Sequence, residues 1–431
     1  MAVALASAAD DRMQRLQQLL APFPEAAAFA PLLFGSRGLS GLEELSPAWL
    51  AAATRAAREF IASKPAAGHK LLIRGAPAGG DPAARAAAII EILNDDMPFL
   101  VDSVLGELQA RGLTVRLLLH PILKTRRDRN GQLLAVTTAG DGGMRDGQQE
   151  SYIAIHCSAV PEAEAHDLEE ALAAILGEVR VVVADWRPML ERLKRSIGEL
   201  EAAPASVPGD LLRESMAFLA WLEQGNFTFL GAQELQLQGD AQTGELVRVA
   251  GNGLGVLSDP DVHVLRRGSE RVAMTPEIRR FFFLPTPLII TKSNVMSRVH
   301  RRALMDYVGI KTYHRDGTPK GETRIVGLFT SQAYVLSPSQ IPFLRHKVAS
   351  VLAASGFPPA SHDGKALLNI LETFPPSGNA ARASISRSSQ VRTIASTRRS
   401  NWATSTAGAG PAWRPMMKCS RTSGPSGGKY G

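Results

Sequence analysis

The sequence predicts an α+β protein in which antiparallel sheets carry helices on one face. Strand-length apolar runs alternate with segments of helical period, and over roughly residues 88–178 they follow the order β-α-β-β-β-α. Asn130-Gly131, the strongest short hairpin signal in the chain, joins two of those strands.

Residues 10–63 read as helical, with Leu16, Leu19 and Leu20 on one face and an Ala-rich stretch from Pro47 to Ala62. A strand at 70–74 precedes a Gly/Pro/Ala linker that runs through Asp81-Pro82. Residues 88–93 (Ala-Ile-Ile-Glu-Ile-Leu) suit a buried strand, ended by Asn94-Asp95-Asp96. Pro98 falls in the first turn of the helix that follows, whose orphan N–H groups Asp95 or Asp96 would cap. Leu100, Val101, Val104, Leu105 and Leu108 line one face of that helix, and Gly112 ends it. A strand over 114–123, a hairpin return at 133–138, a Gly-rich loop at 140–147, a strand at 151–157 and a helix from Pro161 to about Glu178 complete the first module. A long helix, 185–202, leads to a linker containing Pro204 and Pro208, with Trp186 expected as a core anchor.

The second α+β module opens with a helix over 210–224, where Leu212, Met216, Leu219 and Leu222 recur at helical spacing. Strands are expected at 227–237, 246–249, 288–292, 308–314 and 323–329, the last two joined through Asp316-Gly317. Helices at 341–354 and 364–372 follow. The expected divisions are therefore a helical region and linker at 1–83, a sheet module with its trailing helix at 84–203, a second module at 204–336, a helical connector at 337–375 and a tail at 376–431.

Composition narrows the class. With 431 residues, 45% of them apolar and 21% charged, the chain can build sizeable cores. Its formal charge of +7 invites a nucleic-acid partner, but nine basic residues and no acidic one lie beyond residue 375. That leaves 39 basic against 41 acidic residues in the body, which is not basic. The last 56 residues also contain no Leu or Phe, so they lack the apolar surface that offsets chain entropy and are expected to be disordered. Loss of every acid and every Leu at one point is the composition of an out-of-frame product. Two cysteines, Cys157 and Cys419, make no disulfide framework and no Cys/His spacing suits zinc, so a cytoplasmic location is expected. No apolar run has the length of a membrane span, and neither a membrane nor a nucleic acid is an expected partner.

An ordered series of longer motifs says more. Asn94-Asp-Asp-Met-Pro-Phe-Leu-Val-Asp-Ser-Val104, His120-Pro-Ile-Leu123, Ala184-Asp-Trp-Arg-Pro-Met189, Gly225-Asn-Phe-Thr-Phe-Leu-Gly231 and Asp306-Tyr-Val-Gly-Ile-Lys311 appear in turn. With Gly327-Leu-Phe-Thr330, Ile341-Pro-Phe-Leu-Arg-His-Lys347 and Ser361-His-Asp-Gly-Lys-Ala-Leu-Leu-Asn-Ile-Leu-Glu372, the series resembles the N-terminal region of the large bacterial NAD-specific glutamate dehydrogenases, over about residues 15–375. The resemblance implies an ACT-like first module and a PAS-like second one, in the regulatory half of a long, homo-oligomeric subunit. It also implies that the domain binding NAD and glutamate lies beyond Gly431, and that the Ser/Arg-rich tail replaces an acidic, apolar continuation. This chain is thus expected to be a truncated or frameshifted regulatory front end without activity of its own. A free-standing amino-acid-binding module is the alternative.

The residues themselves offer no catalytic set. Gly251-Asn-Gly-Leu-Gly255 has the wrong spacing for a dinucleotide fingerprint and meets Ser258-Asp-Pro260 instead of a helix, so it reads as a turn. Gly364-Lys365 lacks the remaining residues of a phosphate-binding loop. No catalytic residue, metal or cofactor is expected in this chain, NAD belonging to the full-length family. His156 and Cys157 read as packing residues and Asp102 as a solvated helix residue. Asn94, Asp95, Asp96 and Met97 sit at the strand-to-helix turn where ACT domains hold amino acids; their acids would either cap the helix or attract an effector's ammonium. Lys292, Arg298, His300, Arg301, Arg302 and Lys311 form a basic cluster expected to be a salt-bridged interface or a solvated face and not a nucleic-acid groove, with an anion site as the alternative.

Overall fold

The computed structural model describes residues 14–35, 46–75, 87–139, 144–204, 206–262, 264, 279, 282–358 and 360–373. They fall into two compact units, one up to Phe343 and one from Leu344 on. The expected disordered tail at 376–431 lies outside the described residues, as do 76–86 of the first linker and 140–143 of the Gly-rich loop.

The first unit starts with helical residues 14–19, α1 (Pro24–Phe34) and α2 (Pro47–Ile61). Ser46 caps α2 by accepting from the Trp49 N–H at 3.2 Å, with Pro47 at the first helical position where no N–H is missed. Strands β1 (Lys70–Gly75) and β2 (Ala87–Asp95) lead to α3 (Leu100–Ala110), and Gly112 ends that helix at φ 73°. Then come β3 (Val115–Leu119), β4 (Ile122–Arg127), β5 (Leu133–Thr138) and β6 (Gln148–Ser158). The single strand expected over 114–123 is thus two. Pro121 between them has no N–H for a ladder, and its carbonyl accepts from the Tyr152 N–H at 3.1 Å. The sheet runs β1-β2-β6-β4-β5 with β3 also on β6, every pair antiparallel.

Alternation along β2 sorts its side chains between two cores. Ile90 and Ile92 join Leu100, Val104 and Leu108 of α3 and Leu172, Ile175 and Val179 of α4 (Glu162–Ala184). Leu93 joins Tyr152 and Ala154 of β6 against Leu33, Trp49, Leu50 and Phe60 of α1 and α2. Helices α3 and α4 therefore cover one face, and the N-terminal helices, which the sequence suggests as a region of their own, cover the other. α4 continues past Glu178 because Val179 and Val182 prolong its buried stripe.

Asp185 marks the bend into α5 (Trp186–Glu201). Trp186 is a correction: it is 49% exposed and anchors no core. Met189, Leu193 and Leu200 carry the buried face of α5, and the first helical position points away from it.

The second module contains α6 (Gly209–Trp221), a π-turn at 222–226, β7 (Phe227–Gln238), β8 (Glu245–Arg248), β9 (Leu254–Gly255), β10 (Leu288–Met296), β11 (Leu304–Tyr313) and β12 (Pro319–Phe329). Its antiparallel sheet runs β10-β11-β12-β7-β8, with β9 on β7, so the module's first strand is internal. Gly317 at φ 88° turns β11 into β12, where the sequence places Asp316-Gly317. One apolar cluster runs from α3 and α4 through α5 to Phe229, Val308 and Ile325 of this sheet, and α7 (Ser331–Val335) contributes Ala333 to it. The second unit contains α8 (Leu344–Ser355) and α9 (His362–Thr373). No described helix is long and apolar enough to cross a membrane.

Candidate functional site

The turn from β2 into α3 is a closed polar hub. Arg180, reaching across from α4, donates to Asp95 Oδ2 at 2.8 Å, to Asn94 Oδ1 at 2.8 Å and to the Gly68 carbonyl at 3.0 Å. Lys64, just past α2, donates to the other Asp95 oxygen. Burial raises the Asp95 carboxyl, but hydrogen bonds and charge from Lys64 and Arg180 outweigh it and hold the group below its ordinary value. Asp96 accepts from Ser151 Oγ at 2.6 Å, and that hydroxyl also meets His120 Nε2 at 3.1 Å. Met97 is half-buried against the larger core.

Neither Asp95 nor Asp96 caps α3, contrary to the capping expectation. Phe99 occupies the cap position at φ 74° with no side-chain hydrogen bond, since both carboxylates are already engaged elsewhere. An entering ammonium would have to exchange with Lys64, Arg180 or Ser151. The sequence alone did not single out Lys64, Arg180 and Ser151. A lone arginine inside the apolar run Val179-Arg-Val-Val-Val183 is the one signal that marks Arg180.

The basic cluster divides. Arg298 pairs with Glu178 of α4, Arg302 with Glu107 of α3, and His300 Nδ1 lies 3.1 Å from Asp102 Oδ2. The His300 N–H donates to Ser103 Oγ at 2.8 Å, and its ring sits 5.1 Å from that of Phe99. These residues form a seam between the two modules in which Asp102, read from sequence as solvated, takes part. His300 at φ 68° and Phe99 at φ 74° both hold left-handed backbone, which costs of order 1–3 kcal/mol each and persists only where surrounding contacts impose it. Lys292 and Arg301 stay within the second module. Lys292 pairs with Asp306 at 2.7 Å across the β10–β11 register, and Arg301 donates to the Phe329 carbonyl. Lys311 departs from the interface expectation: at 1% exposure it is an interior cation, its Nζ donating to the Leu284 carbonyl at 2.7 Å.

Ser103, itself buried, accepts from His300 and donates to the Phe99 carbonyl at 2.6 Å. Ser103→Ala orphans a backbone N–H at the seam and is expected to lower stability by about 1–2 kcal/mol in urea denaturation. An unchanged midpoint would show that the seam relaxes freely.

His156 and Cys157 are buried, as their packing reading requires. Burial, with Arg74 nearby, brings His156 down to about 4, so the ring, tilted 52° to that of Trp49 at 4.9 Å, is neutral at pH 7. Residues 251–255 form a turn entering β9, with the Gly255 N–H donating to Asp185 Oδ2 at 2.7 Å and no helix following. Among the described residues no group of three or more His, Cys, Asp or Glu could hold a metal ion.

Residues 29–172 match the glutamate dehydrogenase ACT1 domain, and residues 341–377 match the glutamate dehydrogenase helical motif 1. The NAD-specific glutamate dehydrogenase of Halomonas elongata is 38% identical over 292 residues, which are 66% of this chain and 18% of that protein. That of Pseudomonas aeruginosa is 37% identical over 289 residues, with the same coverage. That of Mycobacterium tuberculosis is 27% identical over 308 residues, 69% of this chain and 17% of its own length. The chain therefore spans less than a fifth of the length of these relatives.

Proposed function

We propose that this chain, whose residues 29–172 are a glutamate dehydrogenase ACT1 domain and whose residues 341–377 are helical motif 1 of the same family, is an N-terminal regulatory and assembly portion of a cytoplasmic, homo-oligomeric NAD-dependent glutamate dehydrogenase. In this reading the whole enzyme oxidises L-glutamate to 2-oxoglutarate and ammonium, with hydride passing to NAD. The residues present here bind neither NAD nor glutamate for that chemistry; they bias the active state through contacts between modules.

The observation that supports a regulatory role is the joint between the modules. The hub at Asn94-Asp95-Asp96-Met97 opens α3, and the same helix presents Asp102, Ser103 and Glu107 to His300 and Arg302 of the second module. An amino-acid effector whose ammonium exchanges with Arg180 or Lys64 at Asp95 would therefore act on the helix that carries the seam. Its differential affinity for the two arrangements sets how far it can shift them.

The purified 431-residue chain is expected to form no NADH from glutamate and NAD, followed by absorbance; glutamate-dependent turnover would overturn the assignment. Thermal-shift titration with the amino acids is expected to find at least one that stabilises the chain saturably, by an amount following RT ln(1 + [L]/Kd). Asp95→Asn should weaken that response. A flat response to every amino acid removes the effector from the proposal.

A further inference from the structure

Residues 297–303 join β10 to β11 and form a strap laid against α3 and α4 of the first module. We propose that this strap is a releasable clasp, held down by charge and let go as ionic strength rises, so that it sets how tightly the second module grips α3. The inference deepens the regulatory reading above and rests on it for its purpose, while the motion itself is a property of this chain alone.

The strap keeps its own shape. The Ser297 N–H donates to the Ala303 carbonyl at 2.9 Å and closes the neck, and the buried Ser297 hydroxyl donates to the Val299 carbonyl at 2.7 Å. No strand pairing joins the two sheets among the described residues. The His300 N–H on Ser103 Oγ is the strap's backbone link to the first module there, and Val299, fully buried, is its apolar anchor.

Charge supplies the rest, and it is sorted by side. Arg298 meets Glu178, His300 meets Asp102 and Arg302 meets Glu107, so in these pairs the strap gives basic groups alone and the helices acids alone. Arg301 turns inward, to the Phe329 carbonyl and the Tyr334 ring 5.7 Å away. Glu107 is shared with Arg111, just past α3, at 2.8 Å. Glu178 and Asp102 keep 28% and 60% of their side-chain exposure, so salt reaches two of the three pairs. The Debye length shrinks from about 10 Å at 0.1 M to about 3 Å at 1 M, close to the contact distances themselves. A Cβ on Gly106 of α3 would lie 3.4 Å from Arg302 Cγ, so the strap seats against the helix backbone at a position where glycine otherwise weakens a helix.

Release also relaxes strain. Phe99 and His300 face each other with rings 5.1 Å apart, both in left-handed backbone that only surrounding contacts impose. Lifting the strap removes those contacts from His300 and the facing ring from Phe99, which offsets part of the loss of the three pairs. Phe99 stands two residues past Met97, so the hub and the strap meet at the start of α3.

Hydrogen–deuterium exchange of the full chain, read peptide by peptide at 0.1 M and 1 M NaCl, tests the clasp. Protection over 297–303 and the first turns of α3 is expected to fall at least threefold at high salt, while that of β11 stays unchanged. Glu178→Gln combined with Asp102→Asn, both at the surface, should open the strap already at 0.1 M and leave less than a twofold salt response. Arg298→Glu combined with Glu178→Arg should restore protection at low salt. Strap protection that ignores salt would overturn the proposal, as would loss of protection in β11 in step with the strap, which would mean that no separate motion exists. An unchanged salt response in the double amide variant would overturn it as well. None of these results alters the amino-acid thermal-shift response, so failure of the clasp is distinguishable from failure of the effector reading.

Discussion

Arg127→Ala is expected to destabilise the first unit by about 3–5 kcal/mol, the cost of breaking a buried ion pair by removing one partner. The Glu150 side chain is 1% exposed, and Arg127 holds both its oxygens at 2.8 Å in a fork. The same guanidinium donates to the Gly131 carbonyl and to the Ile61 carbonyl, each at 3.0 Å. One side chain thus ties β4 to β6, to the β4–β5 turn and to the end of α2. With it gone, Glu150 keeps Lys64 at 3.7 Å as its one ion-pair partner among the described residues, and that lysine is already committed to Asp95. Arg127→Lys rescues little, because an ammonium lacks the planar fork.

Urea denaturation measures this directly. For a slope near 2 kcal/mol/M the midpoint should fall by roughly 2 M. Replacing both partners, Arg127→Met with Glu150→Leu, should recover most of the loss, since an apolar pair leaves no stranded charge. If the double variant stays as unstable as the single one, the carbonyl contacts to Ile61 and Gly131 are the larger contribution. The turn leaves no slack for them: Gly131 has φ 78°, and a Cβ there would lie 1.9 Å from the Lys64 carbonyl oxygen.

How much of this was legible in the sequence depends on the range over which each feature is determined. Hairpin glycines and apolar periodicity are local, so Gly112, Gly131 and Gly317 mark their turns, and the strands of both sheets fall close to their expected places. The division of one strand at Pro121 was equally local and readable from the missing N–H. What periodicity could not supply was the second layer. The N-terminal helices look like a separate amphipathic region until Leu93 and Tyr152 are seen to offer them the opposite face of the first sheet. The acids at 95 and 96 suggested capping because a cap is the nearest use for them. Their partners, Lys64, Ser151 and Arg180, stand 31, 55 and 85 residues away in sequence, beyond any spacing argument. The same holds at the seam, where Arg298, His300 and Arg302 reach acids more than 100 positions earlier. Trp186 misled for the opposite reason: size and hydrophobicity suggested burial, but its place at the start of a helix decided exposure.

Lys311→Met is expected to stabilise the chain at neutral pH, by up to about 4 kcal/mol, and to change the shape of its stability profile. Lys311 faces Glu322 across the β11–β12 register, and Arg195 and Glu199 of α5 and Glu234 of β7 line a cavity with the two of them. Its Nζ has the Leu284 carbonyl at 2.7 Å and the Phe282 ring centre at 5.4 Å. Burial lowers it to about 7, the charge of Glu322 opposing only in part. An unfolded lysine titrates near 10.4, so between about pH 7 and 10 the folded chain binds fewer protons than the unfolded one. Stability contributed at this site therefore rises as pH increases through that window, and below it the full cost of burying the ammonium is present. Methionine, of similar length and without charge, removes that cost. The gap between the variant and the parent protein should accordingly be widest at pH 6 and close by about pH 10, with tyrosine and cysteine titrations cancelling because both proteins share them. Denaturant midpoints at four or five pH values decide the matter. A gap that stays constant across the range would mean that the lysine keeps its charge in the fold, compensated by Glu322 and the Leu284 carbonyl.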